Sequence, residues 1–352
     1  MLNTIVYTAI LSLFFVLCLY GIRIRQPNKD IPFLLDRRTT DVLRGYAIMS
    51  IMLHHMVLRM SSASILIPFR LVGYLGVSIF FFLSGYGLYH AYEKKKDIYV
   101  KGFMLKRIES VYVPAVIAQL FFMLAMMIVF HQQYKPLAFL HGLLSLYPID
   151  SSQWYVLAAL YHYFVFWLSI RFLKAWKHRT IFLFAAAVVY FVFCVLMGFS
   201  KNWYDTAFCF SLGVTFAAYG KRAFAWIQRV KITLPVLLAV LGLSVYFSYG
   251  KEEAAAIAFR CVSSITFVLL VIALLCIVDV EECKLSAYIG AISLECYLMH
   301  GKAIRLCEKA LGDIAGLETL AYLLLTAVLV FGFSFLMKHY RAFLKHEPQM
   351  KK

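Results

Sequence analysis

The 352-residue chain is poor in charged residues, and acidic residues are the scarcer kind. Charged side chains make up 15% of the sequence, with 18 acidic against 35 basic residues, while hydrophobic residues make up 63%. Soluble domains carry roughly a quarter charged and about half apolar residues. The composition therefore excludes an ordinary soluble domain and indicates a chain that crosses a membrane several times.

Two further absences narrow the chemistry. The eight cysteines include no C-x-x-C pair and no Cys/His spacing suited to a metal, so we expect neither a disulfide nor a metal site. No Pro-, Gly- or Ser-rich stretch is long enough to form a linker, which predicts one membrane domain without a sizeable soluble domain. The net charge of +17 does not indicate a nucleic-acid partner, because the basic residues are spread over many loops, where topology and anionic lipid headgroups explain them.

Apolar runs long enough to cross about 30 Å of hydrocarbon as helices recur along the chain. The first, at 4–22, is too long for a signal-peptide core and lacks a cleavage site, so we interpret it as a retained span. The sequence thus predicts an all-α bundle of about eleven transmembrane helices. The other ten predicted spans lie at 45–60, 71–91, 109–130, 153–172, 180–199, 204–220, 232–250, 254–278, 286–304 and 318–337.

Lys and Arg indicate the orientation, because short loops rich in these residues stay in the cytoplasm. If the N-terminus lies outside, 26 of the 35 basic residues fall in inner loops and eight in outer loops, while Arg260 falls within a span. This distribution predicts that the N-terminus is outside and the C-terminus inside.

An arginine and two histidines stand out in the second span, RGYAIMSIMLHH (residues 44–55). Eleven residues make three helical turns plus about 20°, so Arg44 and His55 share one stripe and lie roughly 16 Å apart along the axis. His54 is rotated by about 100° from that stripe and is expected to face a neighbouring helix. Taken alone, the residues equally fit a cytoplasmic anchor and two interfacial rings.

The stretch resembles the first catalytic helix of the acyltransferase-3 family of integral-membrane acyltransferases. GYLGVSIFFFLSGYGLY (residues 73–89) is similar to the glycine-bounded, Phe-rich helix of that family. FMLKRIESVYVP (residues 103–114) is similar to its basic stretch, although Ser110 stands where a second arginine is common. The resemblance implies that Lys106 and Arg107 contact the acyl donor, and an inner-loop anchor is the alternative role for both.

Two later stretches extend the resemblance. SSQWYVLAALYHYFVF (residues 151–166) resembles the family's Trp-Tyr/Phe helix and implies that Trp154 and Tyr155 bind substrate, although an aromatic belt explains them equally well. LSAYIGAISLECYLMHGKAI (residues 285–304) resembles its Ser-Leu-Glu-x-Tyr-Leu-x-His helix and implies a catalytic role for His300. Glu295, a carboxylate in mid-span, is a substrate-binding candidate, but it lies about 140° from His300 and is expected to pair with another helix.

The resemblance covers residues 36–340 and implies a ten-helix acyltransferase-3 domain. An extra N-terminal helix and inner loop over 1–35 precede this domain, and a basic cytoplasmic tail over 341–352 follows it. The implied activity is transfer of an acyl group, most often acetyl from cytoplasmic acetyl-CoA, to a hydroxyl of a cell-surface polysaccharide or its lipid-linked precursor. The implied location is the bacterial cytoplasmic membrane, and no metal is needed.

Each part of that reaction has a candidate in the sequence. Arg44, Lys106 and Arg107 would bind the acyl-CoA, because guanidinium groups grip phosphates through paired hydrogen bonds. His55 would act as general base or acyl carrier, since an imidazole titrates near neutral pH. Arg44 and His300 complete the catalytic set, and Trp154, Tyr155 and Glu295 the acceptor set. A glycan flippase, a polymerase or a small-molecule transporter would also show many spans and buried basic residues, and a non-catalytic sensor is a third interpretation.

The predicted orientation has a direct test. A reporter that works only in the cytoplasm should be active when fused after Lys352 and inactive when inserted near Lys135, because the two positions are predicted on opposite sides. Reporter activity is measured in intact cells, and the reverse pattern would contradict the orientation.

Overall fold

The computed structural model describes residues 2–25, 35–60, 64–71, 73–144, 153–227, 230–249, 254–312 and 314–346. Within these residues, eleven helices of 18 or more residues pack side by side. They are α1 (Leu2–Leu19), α2 (Arg37–Leu58), α3 (Gly73–Lys95), α4 (Phe103–Phe130), α5 (Trp154–Phe172), α6 (Trp176–Leu196), α7 (Ala207–Ile227), α8 (Val230–Ser248), α9 (Ala254–Leu275), α10 (Ser293–Leu311) and α11 (Glu318–His346).

The all-α membrane bundle is confirmed, and each predicted span overlaps one of these helices. Among the described residues, five helices are long and apolar enough to cross a membrane by length and composition alone. A sixth is added if Ile65–Leu71 and Gly73–Lys95, which meet at an angle of 46°, form one broken span. The count of eleven spans stays a prediction, because helices such as α2 carry polar residues that lower their mean hydropathy. The orientation stays a prediction as well.

The start of α2 differs from the sequence prediction. The helix begins at Arg37 and not near residue 45, so Arg44 lies about two turns inside it. Asp36 caps the helix, and its carboxylate accepts a hydrogen bond from the Thr39 backbone N–H at 2.7 Å. The hydropathy pattern missed these turns because they carry Arg37, Arg38 and Asp41, which resemble a polar loop in a search for apolar runs.

A short helix, Lys284–Ala291, anchors α2 to the later half of the chain. The backbones touch at two glycines: a Cβ atom on Gly45 would collide with the Ser286 carbonyl, and a Cβ atom on Gly290 would collide with the Asp41 carbonyl. Only glycine permits two helix backbones to come this close together. Since α10 begins two residues after the short helix ends, this contact fixes the position of α10 beside α2.

Helices α3 and α7 cross equally closely. A Cβ atom on Gly85 would meet the Phe210 carbonyl, and a Cβ atom on Gly213 would meet the Phe82 carbonyl. The paired glycines hold α3 against α7. The segment immediately before α7 supplies part of the site.

The N-terminal helix packs on the bundle through its own apolar cluster. Val6, Tyr7 and Ile10 are buried with Met56 of α2 and Tyr322 of α11. The residues after α1 form a two-residue strand, β1 (Arg23–Ile24), which pairs antiparallel with β2 (Val278–Asp279). The sequence did not predict this short ladder, which joins the ends of α1 and α9.

One irregular segment lies within α4 and a second follows it. Pro136–Leu143 forms a short helix in the connection after α4. Within α4, Ile108–Tyr112 forms a π-helical turn that ends two residues before Pro114. Proline lacks the N–H that an α-helical turn requires, and the wider turn accommodates that loss.

The α3–α7 crossing generates a prediction with a control on the same helix. Gly85→Ala should lower the thermal unfolding midpoint of the detergent-solubilised protein, since overpacking at such a contact costs about 1–3 kcal/mol. Gly87→Ala adds a methyl group to open space two residues away and should leave the midpoint unchanged or slightly higher. Equal effects of the two variants would show that the crossing does not depend on close backbone approach.

Candidate active site

A cavity of about 300 Å³ opens at the end of the bundle where α2 ends. His55 and Leu58 of α2, Tyr74 of α3, Trp154 of α5 and Arg260 of α9 contribute to its wall. We refer to this volume as the His55 cavity, and to the opposite end of α2 as the Arg44 side.

His55 and His300 lie against each other beside this cavity. Their ring centroids are 5.1 Å apart, with the rings tilted by 41°, and His300 is completely buried. His300 Nδ1 lies 3.1 Å from the Cys296 carbonyl, which can only accept, so Nδ1 carries the proton and Nε2 of the neutral ring is the basic nitrogen. The structure therefore joins two of the histidines selected from the sequence, although His300 does not line the cavity itself.

His54 has a different environment from His55. Its Nδ1 donates to the Phe69 carbonyl at 2.8 Å, and its ring packs directly on Gly73. These contacts confirm that His54 faces a neighbouring segment, as the helical phase predicted. The ring also reaches the edge of the His55 cavity.

Aromatic rings continue from the two histidines into the bundle. Tyr297 lies 5.5 Å from His300 and 4.8 Å from Tyr155 between ring centroids. Tyr155 is buried and lies close enough to Arg44 for an electrostatic interaction. The rings of His55, His300, Tyr297 and Tyr155 are thus in successive contact.

Trp154 and Tyr155 face inward. Trp154 is 8% exposed and Tyr155 is 7% exposed, and Trp154 packs at 6.2 Å from Trp203 between ring centroids. Residues of an aromatic belt face the lipid headgroups. Burial excludes that role for this pair, whereas their assignment to substrate binding stays a prediction.

Arg44 is partly exposed near the start of α2, at the end of the helix opposite to His55. Its Nη1 donates to the Asp41 carboxylate at 2.8 Å, and 32% of its side chain remains accessible. The pair is one turn apart on α2 and orients the guanidinium group. Because Arg44 lies within the helix and not at its first residue, its side chain starts about two turns closer to His55 than the helix end.

Lys106 and Arg107 have different environments. Lys106 is exposed, whereas Arg107 is half-buried, donates to the Tyr99 hydroxyl at 3.1 Å and stacks over Tyr163 at 5.7 Å. Arg107 Nε is buried and has no hydrogen-bond partner among the described residues. Its guanidinium group therefore keeps a donor for a further acceptor, while Lys106 has only a surface position.

Glu295 pairs with another helix, as expected from its burial in a span. Its carboxylate is 2% exposed and accepts a hydrogen bond from Arg341 Nη2 of α11 at 2.5 Å. It does not line the His55 cavity. Its assignment to substrate binding stays a prediction, and the geometry favours a structural role.

The sequence analysis missed one pair in the cavity wall. Arg260 Nη2 lies 2.6 Å from the Asp205 carboxylate, which is 1% exposed, and the guanidinium carbon lies 4.0 Å from the centroid of the Tyr74 ring. The available signal was Arg260 itself, because it lies inside an apolar span whereas the other basic residues lie in loops. Its partner is 55 residues away and carries no local signal.

Residues 38–339 match the family model described as an acyltransferase domain. With the helical bundle, this match defines a multi-pass membrane acyltransferase. The chain belongs to the acyltransferase-3 family, as the motifs indicated. No curated protein and no solved structure matches it.

The Glu295–Arg341 pair generates a prediction about stability. Arg341→Gln should lower the unfolding midpoint in detergent, because leaving a buried charged acceptor unsatisfied costs at least about 1–3 kcal/mol. Glu295→Gln should also lower it, and the double variant should lose less than the sum of the single losses. Lys96→Gln, in the exposed pair with Glu93, is the control and should change little. A Glu295→Gln protein of normal stability without activity would instead place Glu295 in substrate binding.

Proposed function

We propose that this acyltransferase moves an acetyl group from acetyl-CoA to a hydroxyl of a cell-surface polysaccharide or of its lipid-linked precursor. The observation that carries the proposal is the position of His55. This residue lies on α2, the helix that also holds Arg44, where it lines a cavity and contacts His300 of α10. The protein would lie in the cytoplasmic membrane of a bacterium, with donor and acceptor approaching from opposite ends of α2.

The reaction requires a base at the acceptor hydroxyl. His55 takes the hydroxyl proton as the oxygen bonds to the acyl carbon, the carbon–sulfur bond breaks, and the departing thiolate takes up a proton. His300 supports the His55 ring from the side away from the cavity, with its own proton fixed on Nδ1 by the Cys296 carbonyl. If His55 carries the acyl group first, the same unprotonated ring is needed.

The basic residues on the Arg44 side fit the phosphates of the donor. Arg44 and Arg107 are both partly exposed, so the accessible nitrogens of both guanidinium groups offer donors to an anion. Lys106, next to Arg107 in sequence, adds a surface charge. These residues would hold the nucleotide end of acetyl-CoA while its thioester extends towards Tyr155 and His55.

The His55 cavity would hold the acceptor. The buried ring of Trp154 offers a flat apolar surface with a polar N–H, which suits a sugar ring that presents both C–H groups and hydroxyls. Tyr297 borders the same cavity and contacts both Tyr155 and His300. The acceptor hydroxyl would then approach His55 from the open end of the cavity.

Membranes that contain the protein and its host glycan provide the test. With labelled acetyl-CoA, label should pass to the glycan and an equal amount of CoA should be released. Transport driven by an ion gradient without CoA release would overturn the proposal and favour a transporter.

His55→Gln should reduce this transfer by about 10²- to 10⁴-fold, because glutamine keeps the size but cannot accept the proton. His54→Gln should retain most of the activity, since an amide can still donate to the Phe69 carbonyl. Both variants should reach the membrane in normal amounts, which immunoblotting checks. Loss of transfer in His54→Gln with normal transfer in His55→Gln would show that the active stripe of α2 is the one that carries His54.

A further inference from the structure

The His55 cavity has an apolar floor, which is formed by Ile51, Val77 and Tyr297. Ile51 lies four residues before His55 on α2, so it is one helical turn, about 6 Å, further from the end where the cavity opens. Tyr297 lies three residues before His300 on α10, and all three floor residues are buried. The His55 ring is therefore about one helical turn away from an apolar surface.

Large buried side chains pack beneath this floor. Ile48 and Phe81 are buried, and each lies about one turn beyond a floor residue on its own helix. The Tyr155 ring, also buried, lies 4.8 Å from the Tyr297 ring and 5.1 Å from the Phe81 ring between centroids. Protein interiors are packed as densely as organic crystals, so a group that extends beyond the floor must displace one of these side chains.

The charged side chains of the described wall lie nearer the mouth of the cavity. Arg70 donates to two backbone carbonyls around the end of α2. Arg260 binds Asp205 and lies over the ring of Tyr74, which is nearly one turn before the floor residue of α3. Lys201 belongs to the turn that precedes Asp205. A hydroxyl-rich sugar suits this polar mouth, whereas an apolar acyl group suits the floor, because burying a polar group without a partner is costly.

We infer that Ile51, Val77 and Tyr297 form the acyl subsite and limit the transferred group to acetyl. The inference rests on the proposed function and names the residues that select its acyl group. With the acyl carbon at His55, the methyl group of acetyl points to the floor, and the acceptor hydroxyl enters from the mouth. A longer acyl group collides with the three floor side chains. The pantetheine arm of the donor reaches the same region from the Arg44 side, which leaves still less room for a longer group.

A series of acyl donors tests the subsite. Labelled acetyl-, propionyl-, butyryl- and hexanoyl-CoA are offered at limiting concentration to membranes that contain the full chain and host glycan stripped of its ester groups. Transfer of label and release of CoA are measured together. In a tight apolar pocket one methylene changes kcat/KM by about 10- to 200-fold, so butyryl-CoA should react at least about tenfold more slowly than acetyl-CoA. We call the rate with butyryl-CoA divided by the rate with acetyl-CoA the chain-length ratio.

Two variants on α2 compare the floor with the mouth. Ile51→Ala shortens a floor side chain, so the chain-length ratio should rise by at least about tenfold. Leu58→Ala removes an isomeric side chain from an exposed position at the mouth and should leave the ratio unchanged, whatever its effect on the overall rate. Val77→Ala enlarges the floor from α3 and should also raise the ratio, which keeps the test informative if Ile51→Ala does not fold. Immunoblotting checks the amount of each variant in the membrane.

The outcomes separate this inference from the function on which it rests. Equal rates with acetyl-CoA and butyryl-CoA in the unchanged protein would overturn the size limit. An unchanged chain-length ratio in the folded floor variants, or an equal rise in Leu58→Ala, would overturn it as well, by assigning the acyl group to another part of the cavity. These results leave the acyltransferase intact, because transfer and CoA release still occur. If no donor of the series passes label to the glycan or releases CoA, the proposed function itself fails.

Discussion

The contact between α2 and the short helix Lys284–Ala291 determines where the candidate catalytic groups meet. Gly45 and Gly290 allow the two backbones to touch, and α10 follows directly in sequence. His300 is eight residues into α10, and its ring lies against His55 near the far end of α2. A methyl group at either glycine would move α10 as a unit, so the pairing of two imidazoles depends on two positions that carry no chemistry.

The proposed reaction uses two polar sites, the Arg44 side for the donor and the His55 cavity for the acceptor. Arg44 and His55 are separated by roughly 16 Å along α2. The rings of Tyr297 and Tyr155 continue the ring contacts that start at His55 and His300. Apolar and aromatic surroundings strengthen the electrostatic contacts at both ends, since the local dielectric is low. A rigid helix is well suited to this division because it fixes the separation of the two ends.

The sequence predicted most of the relations between residues on the same helix, but few of the contacts between residues on different helices. Arg44 and His55 could be placed on one stripe because helical geometry relates residues on the same helix. The inter-helix partner of Glu295 was expected on physical grounds, since a buried carboxylate needs a counter-charge, but its identity as Arg341 required the structure. Asp205 lies outside any regular helix, just before α7, and nothing local in the sequence indicates that it meets Arg260. The start of α2 was predicted too late because a search for apolar runs treats a capped, basic first turn as a loop.

The N-terminal helix lies outside the residues that match the acyltransferase family, yet it is packed into the bundle. Its side chains cover apolar residues of α2, α10 and α11, including Met56, Ala303 and Tyr322, and the match begins only at residue 38. In water, removal of such a helix would expose an apolar surface at a large energetic cost. In a bilayer the uncovered surface meets lipid tails of similar polarity, so the cost falls to lost packing and to the hydrogen bonds that Ser286 and Gly316 make with Leu17 and Tyr7. Lipid can therefore replace the apolar contacts of a peripheral helix but not its few polar ones.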